Sequence, residues 1–234
     1  MQLRRVNKLS LQDGTESFDV TLFEAEQPSR VVLFAVGGGG NPERHAPLLA
    51  ALAERGCSVA APHFERWVSP IPTDDDLLLR ARRLALALDV VARAGVPVVG
   101  LGHSIGATML VALAGGEVWR RPGQPLAIAA DSRVERLALM APATGFFRVP
   151  GALAAVRTPV VVWAAENDAI TPPAQAEFLK EALGQRVSVD LHIIPGAGHF
   201  SFMNVLPPQV IDPLADRATF LAGLEAEVRA FVFR

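Results

Sequence analysis

The chain has 234 residues, of which 50% are hydrophobic and 20% charged, and its formal net charge is −2. This size and composition predict a single α/β domain over residues 1–234 with a sizeable core. The weak net charge gives no basic field for nucleic acid, so no nucleic-acid partner is expected. The one cysteine, Cys57, excludes an intramolecular disulfide and supplies no metal cluster.

The N-terminus and the apolar stretches give no sign of export or membrane insertion. Residues 1–5 lead into polar residues without an apolar core segment, so no signal peptide is predicted. Asp89 and Arg93 interrupt the longest apolar stretch, which predicts no membrane span. A cytoplasmic location is therefore expected.

Apolar strands alternate with helices along the chain. Alternating residues at 4–11 and 17–24 flank Asp13-Gly14, which indicates a β-hairpin. Further strands are predicted at 31–36, 57–61, 96–101, 135–141, 159–165 and 187–194, and helices at 42–55, 74–94, 107–114, 172–183 and 214–233. This alternation predicts an α/β fold: a mostly parallel, eight-stranded sheet with an N-terminal antiparallel hairpin and helices on both faces.

The most informative motif is Gly102-His103-Ser104-Ile105-Gly106, which ends an apolar strand and leads directly into a helix. A G-x-S-x-G sequence between strand and helix is typical of a nucleophile elbow. The serine of such a turn has strained backbone angles. Glycines two positions away on either side avoid collisions with the adjoining strand or helix. Ser104 is the predicted nucleophile; the alternative is a glycine-rich turn that only packs closely.

A serine hydroxyl becomes a good nucleophile when a nearby base takes its proton and a third group orients that base. Asp168 and His199 each follow a predicted strand. The carboxyl ends of strands in an open α/β sheet meet at one crevice, so Ser104, Asp168 and His199 are expected to form a catalytic triad. Glu166 remains an alternative acid, because it lies nearer the strand end and has a longer reach.

The chain resembles α/β-hydrolases over essentially its whole length. Three motifs carry this resemblance, in this order: the elbow at 102–106, Asn-Asp-x-Ile-Thr-Pro at 167–172 and Gly-Ala-Gly-His-Phe-Ser-Phe at 196–202. The C-terminal part is similar to the dienelactone-hydrolase-like and platelet-activating-factor-acetylhydrolase-like branch. Dienelactone hydrolases use a cysteine nucleophile where this chain has Ser104. The resemblance implies the α/β-hydrolase fold and a serine hydrolase that needs neither cofactor nor metal.

An oxyanion hole needs two backbone N–H groups aimed at the developing charge. One is expected from Ile105, the residue after the nucleophile. The glycine run 37–40 resembles the His-Gly-x-Gly segment of the family, with Val36 where histidine is common, and this match implies Gly38 as the second donor or else Gly39. A phosphate-cradling loop is the alternative for this run, but the run lacks the Lys-Ser/Thr of a P-loop and the glycine spacing of a dinucleotide fingerprint.

Five aromatic or histidine side chains are candidates for secondary roles. His63 follows a strand and is either a substrate contact or a structural residue. His45 opens a helix and is expected to be solvated, whereas His103 is expected to pack beneath the elbow. Phe200 and Phe202 form either a hydrophobic wall beside the scissile bond or part of the core.

The short segment 142–157 leaves no room for a large cap domain, so either a short helix near 149–156 shields the site or the site is open. We expect a small-molecule partner, a carboxylic ester with a small to moderately apolar acyl group. A thioesterase or peptidase with the same triad is an alternative within enzymes, and a non-catalytic binding protein of the same fold is an alternative outside them. The oligomeric state is left open.

Overall fold

Eight strands pair into one sheet, as the sequence predicts. The computed structural model describes residues 5–69 and 71–234. Residues 1–4, where the hairpin is predicted to begin and no signal peptide is predicted, lie outside this described part. The strands are β1 (Arg5–Asp13), β2 (Glu16–Glu24), β3 (Arg30–Ala35), β4 (Cys57–Pro62), β5 (Val98–His103), β6 (Val134–Met140), β7 (Val160–Ala165) and β8 (Val189–Ile194).

The sheet order is β1-β2-β4-β3-β5-β6-β7-β8. The hairpin β1–β2 is antiparallel and joins β4 in antiparallel fashion, whereas the six strands from β4 to β8 run parallel to one another. The chain moves outward from β3 to β4 and then returns to β5 on the other side of β3. Such a reversal opens a crevice at the carboxyl ends of the two flanking strands, which here are β3 and β5.

Five helices cover the two faces of the sheet: α1 (Ala46–Glu54), α2 (Asp74–Val91), α3 (Ile105–Leu113), α4 (Pro173–Leu183) and α5 (Arg217–Val232). Helices α2, α3 and α4 contribute buried side chains to one hydrophobic cluster, and α1 and α5 contribute to the cluster on the opposite face. The predicted α/β architecture with helices on both faces is confirmed. No helix in the described part of the chain is long and apolar enough to cross a membrane.

Two helices begin later than the sequence pattern predicts. The segment predicted as one helix at 42–55 splits into a 3₁₀ turn, Pro42–His45, and α1. Pro47 lies in the first turn of α1, the place where a residue without an N–H is tolerated in a helix. Helix α5 starts at Arg217 instead of residue 214, because the Asp216 side chain caps it by accepting a hydrogen bond from Thr219 N.

Candidate active site

Ser104 joins β5 to α3 with φ 56° and ψ −127°, a strained conformation for a residue other than glycine. Neighbouring atoms leave no space for side chains on either side of it. A Cβ on Gly106 would lie 2.0 Å from the Ala35 carbonyl oxygen, and one on Gly102 would lie 2.8 Å from Ala107 N. The predicted need for glycine at both positions is confirmed, and the turn holds Ser104 out of the sheet.

The backbone of the turn is fixed from below by the neighbouring strand. Ser104 N donates a hydrogen bond to the Met140 carbonyl at the end of β6, over 2.9 Å. Ile105 is the first residue of α3, so its N–H belongs to the turn in which a helix leaves its N–H groups unpaired and carries a partial positive charge. This N–H is available to an anionic group beside Ser104.

The Asp168 carboxylate receives four hydrogen bonds and its side chain is fully buried. The backbone N–H groups of Ile170 and Thr171 both donate to Oδ1 over 2.8 Å. The Thr171 hydroxyl and His199 Nδ1 each lie 2.7 Å from Oδ2. Because an ionised carboxylate only accepts, His199 carries its proton on Nδ1 and leaves Nε2 free as a base.

These contacts set the charge of Asp168. Burial by itself raises the pKa of the carboxyl, but the hydrogen bonds and charge of His199 and the hydrogen bonds from Thr171 outweigh it and lower the pKa below its usual value. Asp168 is therefore ionised at neutral pH. A buried anion at this position stabilises a positive charge that forms on His199.

The loop of His199 is tied to the elbow through the residue before the serine. His103 Nε2 lies 3.0 Å from the His199 carbonyl oxygen, and the two imidazole rings lie 4.8 Å apart. The Ser104 hydroxyl itself makes no hydrogen bond to a described residue. The bond between nucleophile and base is often long until substrate binds, so this geometry is compatible with the predicted triad.

His45 and His103 form a buried layer under the site. His103 is fully buried, as expected, and its pKa lies well below the usual range, first because of burial and then because of the charges of His199 and His45. The expectation that His45 is solvated is wrong. Its ring is fully buried between Phe34 at 4.9 Å and His103 at 5.4 Å, and burial lowers its pKa to about 3.

The glycine run 37–40 lies beside the elbow, where the oxyanion donors are predicted. A Cβ on Gly37 would lie 3.3 Å from Ser104 Cβ. Gly38 follows, packed against the Trp67 ring, and its carbonyl oxygen accepts a hydrogen bond from Trp67 N over 3.1 Å. Gly39 is exposed and has open space around it. These contacts favour Gly38 over Gly39 as the partner of Ile105 and leave their role a prediction.

Two of the alternative site residues have partners elsewhere. The exposed Glu166 carboxylate accepts a hydrogen bond from Gly196 N over 2.8 Å, whereas the described partner of His199 is Asp168. His63 Nε2 lies 2.7 Å from the hydroxyl of Thr21 on β2. The structure thus brings Asp168 to His199 and ties His63 to the antiparallel end of the sheet.

The two phenylalanines of the final loop have different environments. Phe202 is 0% exposed and packs against His103 and Phe220 at ring distances of 6.3 and 5.7 Å. The structure therefore places Phe202 in the core and not on the wall of the crevice. Phe200 is partly exposed and stands edge-on to the His199 ring at 5.1 Å, so its substrate contact stays a prediction.

The segment between β6 and β7 forms no cap. It contains a 3₁₀ turn, Gly145–Phe147, followed by turns through residue 155, and the helix considered for 149–156 does not form. Pro150 and Gly151 interrupt it, since Gly151 has φ 87°. Among the described residues there is also no group of three or more metal-ligating side chains arranged to hold an ion.

No protein-family model and no curated protein matches the chain. Solved structures do. A putative α/β hydrolase from Agrobacterium tumefaciens is 16% identical, with a TM-score of 0.68 over 97% of this chain and 95% of that one. A thermophilic esterase from Thermogutta terrifontis is 14% identical, with a TM-score of 0.66 over 96% and 90%. Esterase 2 of that organism, phosphorylated by paraoxon, is 17% identical, with a TM-score of 0.62 over 98% and 95%.

The chain has the α/β-hydrolase fold. The match covers 97% of this chain and 95% of the Agrobacterium tumefaciens protein, so it leaves no large element of either chain unmatched. At these identities the likeness concerns the fold alone, and activity has to be argued from the site.

Within this α/β-hydrolase fold, sequence reasoning missed two residues that contact the site. Thr171 holds Asp168 through both its N–H and its hydroxyl, and a threonine three residues after an aspartate in a turn is a recognisable signal. Arg80 lies on the buried stripe of α2 formed by Leu77, Ala81 and Leu84. A charged residue at an apolar position of the helical period is the signal that could have found it.

Proposed function

We propose that the chain is a serine hydrolase that cleaves carboxylic esters with small to moderate acyl groups through an acyl-enzyme intermediate. In the first step the Ser104 hydroxyl oxygen attacks the ester carbonyl carbon while His199 Nε2 takes its proton. The carbonyl oxygen becomes an oxyanion, which the N–H groups of Ile105 and Gly38 stabilise. Asp168 stays ionised and stabilises the imidazolium.

The tetrahedral intermediate collapses when its bond to the alkoxy oxygen breaks. His199 gives its proton to that oxygen, so the alcohol leaves and the acyl group stays on Ser104. Water then attacks the acyl carbonyl and His199 takes a proton from it. Breaking the bond to Ser104 Oγ returns the proton to the serine and releases the carboxylic acid.

The observation that carries the proposal is the 2.7 Å contact between His199 Nδ1 and the buried Asp168 carboxylate, next to a serine with strained backbone angles. A structural histidine needs one hydrogen-bond partner. Here the ring is oriented by a fully buried anion that has three further donors of its own. Such a cluster is costly to bury and is typical of a catalytic base.

The solved neighbours support the same chemistry without deciding it for this chain. The thermophilic protein, esterase 2 of Thermogutta terrifontis, is an esterase, and a second structure of it carries a phosphoryl group from paraoxon. Organophosphates phosphorylate activated nucleophiles. An ester substrate class is therefore the one we assign to Ser104.

The test is hydrolysis of p-nitrophenyl esters by the wild type and by Ser104→Ala. Triad knockouts lower turnover by roughly 10⁶-fold, so the variant should lose nearly all activity. It should remain folded. Thioesters of the same acyl groups separate an esterase from a thioesterase, since the triad serves both leaving groups. Equal ester turnover by the wild type and Ser104→Ala would exclude the proposed nucleophile.

A further inference from the structure

Arg80 is a buried cation on α2 that the steps proposed above do not use. It is 2% exposed, and no carboxylate of the described residues forms an ion pair with it. The nearby Arg82 and Arg83 both pair with Asp13. Burying a guanidinium without a carboxylate costs free energy, so the other contacts of Arg80 have to offset this cost.

Arg80 contacts the residue that precedes the glycine run and two aromatic residues that lie beside the run in space. Arg80 Nη1 donates to the Val36 carbonyl oxygen over 3.0 Å. The guanidinium carbon lies 4.5 Å from the Phe64 ring centre and 4.4 Å from the Trp67 ring centre. Cations near aromatic faces are attracted by the ring quadrupole, more strongly when they are desolvated. Arg80 thus binds one carbonyl and two rings at once.

Those three partners hold the glycine run in place. Val36 immediately precedes the run, so the bond to its carbonyl fixes the peptide plane from which the run starts. Trp67 N donates to the Gly38 carbonyl over 3.1 Å, and Phe64 N donates to the Gly40 carbonyl over 2.9 Å. The Trp67 ring also lies close to Gly38, since a Cβ on Gly38 would be 3.3 Å from the ring atom Cε3.

We propose that Arg80 is a positioning residue that fixes the direction of the Gly38 N–H toward the oxyanion. The inference rests on the proposed function, because Arg80 would act on the oxyanion hole of the proposed reaction and would not itself contact the substrate. Arginine suits the position better than lysine, since its planar group can lie against two rings while one N–H reaches a carbonyl. Burial lowers the pKa of Arg80, and the charge of Asp76 on the same helix partly opposes this, but the Asp76 carboxylate is hydrogen-bonded to Thr73 and forms no ion pair with Arg80.

The variants Arg80→Lys and Arg80→Met test this assignment in the full chain. We expect kcat to fall about 10- to 100-fold, because small misplacements of catalytic groups have effects of that size. KM should change far less, since the oxyanion forms only after binding. The matched control is Arg83→Met. Arg83 is a buried arginine of the same helix that lies over Phe18 and pairs with Asp13, with no described contact to the glycine run.

Chemical rescue separates positioning from a purely structural role. A cavity of about 740 Å³ borders Arg80, Phe64 and Trp67 and gives small solutes access. Sub-denaturing guanidinium chloride should restore part of the kcat of Arg80→Ala, whereas sodium chloride and urea should not. The same additions should leave Arg83→Ala unchanged.

The assignment is overturned if the Arg80 variants lose no more kcat than the Arg83 control, or if their loss lies in KM alone. If the Arg80 variants do not fold, Trp67→Leu removes one side of the stack without leaving a new charge unpaired. It should lower kcat at nearly constant KM, and a loss in KM alone would overturn the assignment equally. Failure of the proposed function looks different: ester turnover would then persist in Ser104→Ala.

Discussion

The Asp168 carboxylate lies within hydrogen-bonding distance of four donors, one of which is His199. The change Asp168→Asn keeps the shape of the side chain but presents an amide where the anion selected the tautomer of His199. The equivalent change in a well-studied serine protease lowers kcat about 10⁴-fold. We expect ester turnover to fall by roughly 10³-fold or more here, measured as kcat with a short-chain p-nitrophenyl ester.

Glu166→Gln is the matched control for that experiment. Glu166 is exposed and holds Gly196 N, so its variant should keep most of the activity. Thermal unfolding of both variants reports any loss of folded protein. If Glu166→Gln is the inactive variant and Asp168→Asn is not, the acid of the triad has been assigned to the wrong residue.

The buried ring of His45 predicts a loss of stability in acid. Burial lowers its folded pKa to about 3, and the unfolded value is about 6.5. Between these values the unfolded chain binds a proton that the folded chain does not, so unfolding becomes more favourable as the pH falls through this range. At a pH of about 5 the contribution is about 2 kcal/mol.

The measurement is the free energy of unfolding in urea, near neutral pH and at a pH of about 5, for the wild type and His45→Leu. Comparing each protein with itself removes the packing effect of the substitution. The stability difference between the two pH values should be about 2 kcal/mol smaller in the variant. An identical pH dependence in the two proteins would mean that His45 does not resist protonation in the folded state.

At the scale of residues, local sequence motifs were enough to predict the candidate catalytic residues, but they did not indicate which side chains near the site are buried. Ser104, Asp168 and His199 are predicted as a triad because each follows a strand in a recognisable turn, and the structure brings two of them, Asp168 and His199, into contact. His45 was expected in solvent because it opens a helix, but the packing of Phe34 and His103 around it depends on contacts distant in sequence. Phe202 was ambiguous for the same reason.

At the scale of elements, the start of α3 packs directly against the end of β3 beside the site. A Cβ on Gly106 would lie 2.0 Å from the Ala35 carbonyl oxygen. Gly106→Ala should therefore lower the free energy of unfolding by about 1–3 kcal/mol, the usual cost of overpacking. Urea unfolding followed by circular dichroism gives the value.

Gly223→Ala is the matched control for this substitution. Gly223 lies on the exposed face of α5, and a Cβ there would meet nothing within 4 Å. Alanine is favoured over glycine inside a helix by about 0.5–1 kcal/mol, so this variant should be more stable than the wild type. Unchanged stability in Gly106→Ala would contradict the packing described for α3, and destabilisation by Gly223→Ala would contradict the open space described at Gly223.

Helix and strand identities followed from periodicity, whereas the helix ends depended on single residues. The split before α1 comes from Pro47, and the late start of α5 comes from the Asp216 cap. Both signals were present in the sequence. They were outweighed by an apolar pattern that continues across the true boundary.

At the scale of the whole molecule, the missing cap predicts a preference for short acyl chains. The segment between β6 and β7 adds only turns, so nothing there extends the crevice around a long chain. Each buried methylene contributes about 0.8 kcal/mol, and we expect this gain to stop after roughly two to six acyl carbons. Values of kcat/KM for p-nitrophenyl esters of increasing length measure it. A steady rise out to long chains would indicate a deep tunnel and contradict the prediction.

The topology was predictable because alternating strands and helices allow few arrangements. In a parallel sheet the motifs that follow the strands all lie at the carboxyl ends of those strands. The packing of the Arg80 guanidinium against Phe64 and Trp67 was not predictable in this way. The carbonyl partner of Arg80, Val36, is 44 residues away, in the loop that follows β3. Nothing in the local pattern of either segment indicates that a helix side chain reaches under the glycine run.

The most direct test of the account is to map where a fluorophosphonate attaches. The probe reacts with a serine that a base has activated, and it needs no knowledge of the natural substrate. We predict one adduct, on the peptide that contains Ser104, with strongly reduced labelling in His199→Ala and none in Ser104→Ala. An unlabelled wild type, or an adduct on a different serine, would contradict the account.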